Sequence, residues 1–327
     1  MKSLDQWLAH LESLHPKGQA GIELGLERVA RVKAELGQTQ HCPVIIVGGT
    51  NGKGSTCAYL EHILSYSGYR TGCYASPHLL AYNERVRLDR QPVDDASLCA
   101  AFARVEAARA AAGNVALTYF EFGTLAAWEV FAAANIDVAI LEVGLGGRLD
   151  AVNVYEPDAA IVTGIALDHT DWLGSDRNSI SYEKAGIYRP ERPAICADPD
   201  PPPRLIQYAE DISARLLRVN RDYHFARTGS TWCWQSSACC LDHLPLPTLA
   251  GNHQLGNAAA ALMTLTSLGD RLPVSPEAIR AGLASAELPG RCQIIPGPVE
   301  WILDVAHNPR AATVLADHLR ARPCTGR

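Results

Sequence analysis

The chain has 327 residues, 47% of them hydrophobic and 20% charged, with a formal net charge of −6. That length suits two domains, since compact units usually run about 100–200 residues, and the composition is that of an ordinary globular protein. The charge argues against a general binder of nucleic acid or anionic membranes, and no apolar run approaches the roughly 18 residues a membrane span needs.

Met1-Lys2-Ser3-Leu4-Asp5 carries an early acid and no apolar stretch of signal-peptide length. Ten scattered cysteines fit free thiols in a reduced cytosol, so a cytoplasmic protein is expected. Cys233 with Cys239-Cys240 is too weak a spacing to assign zinc.

Residues 1–37 read as two helices broken near His15-Pro16-Lys17-Gly18, the second around Leu24 to Val29. Val44 to Gly48 is a short β-branched strand. It runs into Gly49-Thr50-Asn51-Gly52-Lys53-Gly54-Ser55-Thr56 and then an amphipathic pattern with Cys57, Leu60, Ile63 and Leu64 on one face. This is strand, phosphate loop, helix. Glycines let backbone N–H groups approach a triphosphate, and the helix N-terminus adds favourable partial charge. Lys53 is expected against the β- and γ-phosphates, with Ser55 or Thr56 reaching phosphate or magnesium. Strict Walker A spacing is not met: Val47 stands at the first glycine, and Gly54 follows the lysine. ATP is nonetheless the expected ligand.

Thr71 to Ala75 is a second strand, leading to Ser76-Pro77-His78-Leu79, and Asn83 to Leu88 alternates like a short strand or hairpin arm. Residues 93–112 and 119–134 are helical. Apolar strands follow at Asp137 to Glu142, Asp158 to Gly164, Ala194 to Ala197 and Leu216 to Val219. Helices alternating with short apolar strands define an α/β class: a P-loop-type, mostly parallel sheet with helices on both faces. Residues 199–203 form a rigid turn, and 223–247, with Trp232 and Trp234, suggest a small antiparallel hairpin. Helices are expected over 251–268 and 275–286, and Pro289-Gly290-Arg291 marks a domain boundary, giving units 1–288 and 289–327. Beyond it come one strand, Trp301 to Val305, and one helix. A unit of roughly 35 residues cannot bury its own core, so this second domain reads as incomplete. No internal repeat is seen.

Ligands of open parallel sheets sit beyond the carboxyl ends of the strands. That rule brings Thr50 to Ser55, Ser76, Glu142 and Asp168-His169 to one rim, where hydroxyl, carboxylate and imidazole could hold magnesium. Gly144-Leu145-Gly146-Gly147-Arg148-Leu149-Asp150 fails the dinucleotide fingerprint because Leu149 stands at the third glycine. Lys184, in Glu183-Lys184-Ala185-Gly186-Ile187, reads from composition as a solvated charge.

Taken together, these stretches resemble the folylpolyglutamate synthase/dihydrofolate synthase family of the Mur ligase superfamily. The match continues through Tyr82-Asn83-Glu84-Arg85, Gly251-Asn252-His253-Gln254, Leu288-Pro289-Gly290-Arg291 and Leu303-Asp304-Val305-Ala306-His307-Asn308-Pro309. The resemblance spans essentially the whole chain and accounts for the shortened phosphate loop. It implies a monomeric ligase that uses ATP and Mg2+ to join L-glutamate to dihydropteroate, and to the γ-carboxylate of tetrahydrofolate and its polyglutamates. It also implies that Thr50, Asn51, Gly52, Lys53, Gly54, Ser55, Asn257, Arg291 and Asp304 contact ATP, with His307 at the same interface. Ser76, Glu142 and His169 would hold magnesium, and Lys184 would match a carbamylated lysine. Lys53, His169 and Lys184 would serve the chemistry, while Ile22, Glu23, Leu24, Gly25, Tyr119, Phe120, Glu121 and Leu149 would face the pterin. The family's smaller, Rossmann-like C-terminal domain would be incomplete here, and weak activity is expected on that account. A peptidoglycan-type Mur ligase and a nucleotide-holding remnant are the competing readings.

Overall fold

The computed structural model describes residues 2–16, 21–320 and 322. Two N-terminal helices, α1 (Leu4–Leu14) and α2 (Glu27–Leu36), precede the central strand β1 (Val44–Gly48) and the phosphate-loop helix α3 (Lys53–Tyr66). There follow β2 (Thr71–Tyr74), β3 (Val86–Leu88), β4 (Gln91–Pro92), α4 (Asp95–Ala111), α5 (Tyr119–Ala134), β5 (Val138–Glu142) and β6 (Ala159–Val162). Next come α6 (Thr170–Leu173), α7 (Arg177–Ala185), β7 (Pro193–Cys196), α8 (Pro203–Asp211) and β8 (Arg215–Arg218). The remainder holds β9 (Tyr223–Thr228), β10 (Thr231–Ser236), β11 (Cys240–Pro245), α9 (His253–Ser267), α10 (Pro276–Ser285), β12 (Gln293–Ile295), β13 (Trp301–Leu303) and α11 (Pro309–Arg320).

One sheet of eight strands, in the order β4-β3-β2-β5-β1-β6-β7-β8, organises the molecule. Its six strands from β2 to β8 are parallel, and β3 and β4 extend one edge antiparallel. Strand β1 is buried along its whole length, as its uninterrupted Val-Ile-Ile-Val run requires of a strand covered on both faces. Because β1 lies between β5 and β6, with Val47 beside Glu142 and Gly48 beside Val162, the phosphate loop emerges next to the ends of both neighbours.

Two apolar layers cover the sheet. Side chains of α1, α2, α4 and α5 pack one face through Trp7, Val32, Phe102 and Phe122. Leu60 and Ile63 of α3, Leu262 and Leu265 of α9, and Leu283 of α10 pack the other, with Trp232 and Trp234. Helices α3 and α10 approach so closely that a Cβ on Gly282 would lie 2.7 Å from the Ile63 backbone.

Several expectations are corrected. Residues 21–26 are not helical and α2 begins at Glu27: the Gly25 N–H donates to the Leu149 carbonyl, and Arg28 holds the Glu23 carbonyl and carboxylate, tying this segment across the sheet rim. The expected helix break at Lys17-Gly18 lies outside the described residues. Tyr82–Arg85 is a single 3-10 turn, with the strand starting only at Val86, because the Glu84 carboxylate gathers the N–H groups of Leu79, Leu80 and Ala81. Residues 223–245 form three antiparallel strands rather than a hairpin, since Leu241 and Leu244 bring β11 onto the Trp232 side of β10. After residue 290 there are two paired strands and a helix, not one strand. This β12–β13 pair leaves Trp301 63% exposed, and α11 buries none of its residues.

On α3, His62 is buried with its Nδ1 3.2 Å from the Ser285 hydroxyl. Burial, then the Arg90 and Arg87 guanidiniums, lower its pKa to about 4. The unfolded chain takes up this proton near pH 6.5, whereas the fold resists it to about pH 4. Stability is therefore full above pH 6.5 and falls as the pH drops toward 4, by at most about 3 kcal/mol. Urea unfolding of His62→Gln is expected to show a flatter pH profile than the wild type across that window.

Candidate active site

The loop between β1 and α3 owes its shape to its neighbours. The Thr163 hydroxyl lies 2.7 Å from the Asn51 carbonyl and 3.1 Å from that of Gly48, and the Thr50 N–H donates to the Gly164 carbonyl at 2.7 Å. Thr50 accepts the Ala166 N–H and donates to the Ala166 carbonyl through the same hydroxyl. Gly49 has φ +135°, and a Cβ there would fall 2.9 Å from the Thr163 backbone nitrogen and overlap its hydroxyl. Gly52, at φ +95°, is held against the Asn257 side-chain amide. Asn257 in turn donates to Gln254, whose amide donates to the Ser55 hydroxyl. The Lys53 ammonium folds back onto the carbonyls of Gly49 and Thr50, at 3.0 and 3.3 Å.

Strand ends deliver the charged groups. Glu142 is 5% exposed and accepts one hydrogen bond, from the Ser76 N–H at 3.3 Å. Burial raises its pKa, opposed by the nearby Lys53 and Arg291 charges. A buried carboxylate with a single hydrogen bond, at a rim that also carries Ser76, offers oxygen donors of the kind a hard divalent cation takes, so Ser76 and Glu142 fit the metal expected here. His169 has a left-handed backbone, φ 48°, and is half exposed, with its Nε2 3.9 Å from Asp168. No cluster of three His, Cys, Asp or Glu stands ready for a metal among the described residues.

Lys184 overturns its reading as a solvated charge, being only 4% exposed. The end of α7 packs directly on the glycine-rich turn after β5: a Cβ on Gly147 would lie 2.9 Å from the Lys184 carbonyl. The turn thus covers the lysine, and sequence could not show this because α7 and the turn are distant in the chain. Burial lowers the Lys184 pKa to about 7, helped by Lys53 and opposed by Asp168 and Asp150. Asp150 is itself buried, its pKa raised to about 7 by burial against the pull of the Leu145 and Val152 N–H groups.

A single cavity of about 700 Å3 takes in every expected site residue, from Ile22 to Gly25 at one end to Arg291, Asp304 and His307 at the other. Gly25 meets Leu149 through the backbone, and Phe120 packs onto Gly144. Glu121 borders the cavity with its carboxylate already held by the Thr118 N–H and by Arg28. At the far end, Asp304 accepts N–H bonds from Cys292 and Ala306 and so shapes its own turn, and His307 reaches the Val305 carbonyl. Sequence reasoning assigned no role to Thr163, Gln254, Arg85 or Asn308. Asn308 exchanges side-chain amide bonds with Asn51 and reaches Asp168, linking the C-terminal unit to the phosphate loop.

Fold and site together define a Mur ligase: residues 47–265 match the family model for the Mur ligase middle domain. The chain is 49% identical to the dihydrofolate synthase/folylpolyglutamate synthase of Escherichia coli K12 over 325 residues, 99% of this chain and 74% of that protein. The corresponding enzyme of Haemophilus influenzae is 41% identical over 97% of the chain and likewise 74% of its own length. Among solved structures, E. coli FolC in complex with DHPP and ADP superposes with a TM-score of 0.93 at 49% identity, covering all of this chain and 76% of that one. A bifunctional folylpolyglutamate synthase/dihydrofolate synthase with Mn, AMPPNP and L-glutamate bound gives 0.89 at 47% identity, over 98% and 75% of the two chains. The chain belongs to the dihydrofolate synthase/folylpolyglutamate synthase family.

Because a methyl group at residue 49 meets backbone and not only side chain, Gly49→Ala is expected to distort the loop. Nucleotide affinity, measured by calorimetric titration, should fall at least about tenfold, equivalent to roughly 1.4 kcal/mol, while the far-ultraviolet circular dichroism stays native.

Proposed function

We propose that this chain is an ATP-dependent ligase that joins L-glutamate to dihydropteroate, forming dihydrofolate, and to the γ-carboxylate of tetrahydrofolate and its polyglutamates. The observation that carries this reading is the single cavity that joins a phosphate loop and buried Glu142 at one end to the aromatic pocket of Tyr119 and Phe120 at the other. Its lining offers a nucleotide and an elongated aromatic acid separate stretches of one continuous space. Relatives that carry out both reactions cover nearly all of the chain.

A carboxylate does not acylate an amine until one of its oxygens can depart on a better leaving group. In the proposed reaction the substrate carboxylate oxygen attacks the γ-phosphorus, the bond to the β-phosphate bridging oxygen breaks, and ADP leaves an acyl phosphate behind. The glutamate amine then attacks the acyl carbon, phosphate departs, and the amine loses a proton. The backbone N–H groups of residues 50–55 would cradle the phosphates, with Lys53 moving from the loop carbonyls to the transferring phosphoryl group. Ser76, Glu142 and His169 would hold Mg2+, which when bound neutralises phosphate charge. Asn257, Arg291, Asp304 and His307 would border the nucleotide, and Ile22 to Gly25, Tyr119, Phe120, Glu121 and Leu149 the pterin.

Lys184 is proposed to act as a carbamate. Its amine, neutral in part near pH 7, would attack carbon dioxide and release one proton, becoming an anionic oxygen ligand facing the metal site. Residues 289–327 are proposed to form part of a nucleotide-closing unit, supported by the Asn308 contacts to Asn51 and Asp168. We place the reaction in the cytoplasm, where ATP and glutamate are supplied, with the chain acting as a monomer.

Purified protein given Mg-ATP and glutamate is expected to release ADP with dihydropteroate in one reaction and with tetrahydrofolate in another. Release in neither would overturn the ligase reading and favour a nucleotide-holding remnant. Lys184→Ala is expected to lower kcat at least about 100-fold, a loss of roughly 2.7 kcal/mol in transition-state stabilisation. Native mass spectrometry in bicarbonate should detect the added mass of carbon dioxide on the wild type only.

A further inference from the structure

Five cationic side chains border the cavity: Lys53, Arg85, Lys184, Arg291 and Arg310. Lys53 and Arg291 both act on the Glu142 carboxyl, and Lys184 faces Asp168 and Asp150. Arg310 packs beside Gly164 at the C-terminal unit. Arg85 differs from all of these. Its guanidinium lies over the rings of Tyr82 and Tyr119, with centroids 5.4 and 5.5 Å away, and its Nε donates to His78 Nδ1 at 2.7 Å. No carboxylate among the described residues pairs with it, although it is half buried.

Its position is fixed from two sides. The Arg85 carbonyl accepts the Ala75 N–H at 2.9 Å, which anchors the residue beside Ser76 and the phosphate end of the cavity. The Tyr119 ring anchors the guanidinium toward the aromatic end. Neighbouring Glu84 turns its carboxylate to three loop N–H groups and makes no ion pair with it. The terminal guanidinium nitrogens are left as a planar fork, the geometry that binds a carboxylate with two hydrogen bonds.

Under the folate reading, on which this inference rests, the two acceptors differ in one respect. Dihydropteroate carries a single carboxylate, the one that reacts. A glutamate-tailed folate carries a reacting γ-carboxylate and also an α-carboxylate that must enter the cavity without reacting. We infer that Arg85 binds this non-reacting α-carboxylate and thereby serves the polyglutamate reaction specifically. Incoming glutamate offers the same chemical group, but the Ala75 and Tyr119 contacts place Arg85 between the phosphate end and the aromatic end, where the tail of a bound folate would run.

The test is a cycle of two deletions, one in the protein and one in the ligand. Equilibrium binding of tetrahydrofolate is compared with that of its analogue bearing 4-aminobutyrate in place of glutamate, which keeps the terminal carboxylate and lacks the α one. Both are titrated into wild type, Arg85→Gln and Arg85→Lys, with Mg-ADP present and glutamate absent. Arg85→Gln is expected to weaken tetrahydrofolate at least tenfold and the analogue less than threefold, with Arg85→Lys recovering part of the difference. Equal weakening of both compounds would overturn the inference. If the wild type binds neither compound, the folate reading itself fails and this inference with it. A misfolded Arg85→Gln would leave the decision to Arg85→Lys and to the wild type, whose failure to discriminate between the two ligands would also overturn it.

Discussion

The loop between β1 and α3 can receive phosphate groups only because the strand beside it supplies what its glycines cannot. With no side chains on Gly49 and Gly52, the turn has nothing of its own to hold its shape. The Thr163 hydroxyl between two loop carbonyls and the Asn257 amide against Gly52 do so from outside. The same closeness forbids any side chain at those glycines. Open backbone N–H groups and a rigid turn therefore arise from one packing arrangement. It requires β6 and α9 to be in place before the loop has its functional form.

Around that loop the charges are arranged by burial more than by pairing. Glu142 and Asp150 are buried carboxyls whose pKa values are raised, and Lys184 is a buried amine whose pKa is lowered to about 7. In each, the cost of removing a charge from water exceeds the attraction of its neighbours. Such groups gain most when a ligand of opposite charge arrives, and groups of both signs meet in this cavity. Burial already shifts these groups toward their neutral forms, and the opposite charges that oppose it come from other elements, Lys53 and Arg291 on Glu142 and Asp168 and Asp150 on Lys184.

The aromatic end is organised differently. Here ionic groups are satisfied within the protein, with Arg28 joining Glu23 to Glu121 and the capping box of α5 holding the Glu121 carboxylate. What remains facing the cavity is ring and backbone, Tyr119, Phe120 and the Gly25–Leu149 contact. A flat, weakly charged substrate suits that wall, and Arg85 is the exception that marks where charge must be read.

Sequence alone determined a great deal of this protein. Uninterrupted apolar runs located β1 and β5 closely, because a strand covered on both faces must be wholly apolar, and helical patterns placed α3 and α5. The phosphate loop was legible for the same local reason: glycines followed by a lysine at a helix start serve few other purposes. Local pattern failed where long-range contacts override it. Residues 21–26 stay extended because Leu149 and Arg28 hold them, and β11 forms because it completes an apolar layer against α9 and α10. Lys184 looked solvated because nothing in Glu183-Lys184-Ala185 indicates the glycine turn that covers it. Arg85 and Asn308 acquire meaning only when β3 and the C-terminal unit reach the rim. Which residues can form a strand or bind a phosphate is a property of neighbours in the chain, whereas burial, and with it every shifted pKa in the site, is a property of neighbours in space.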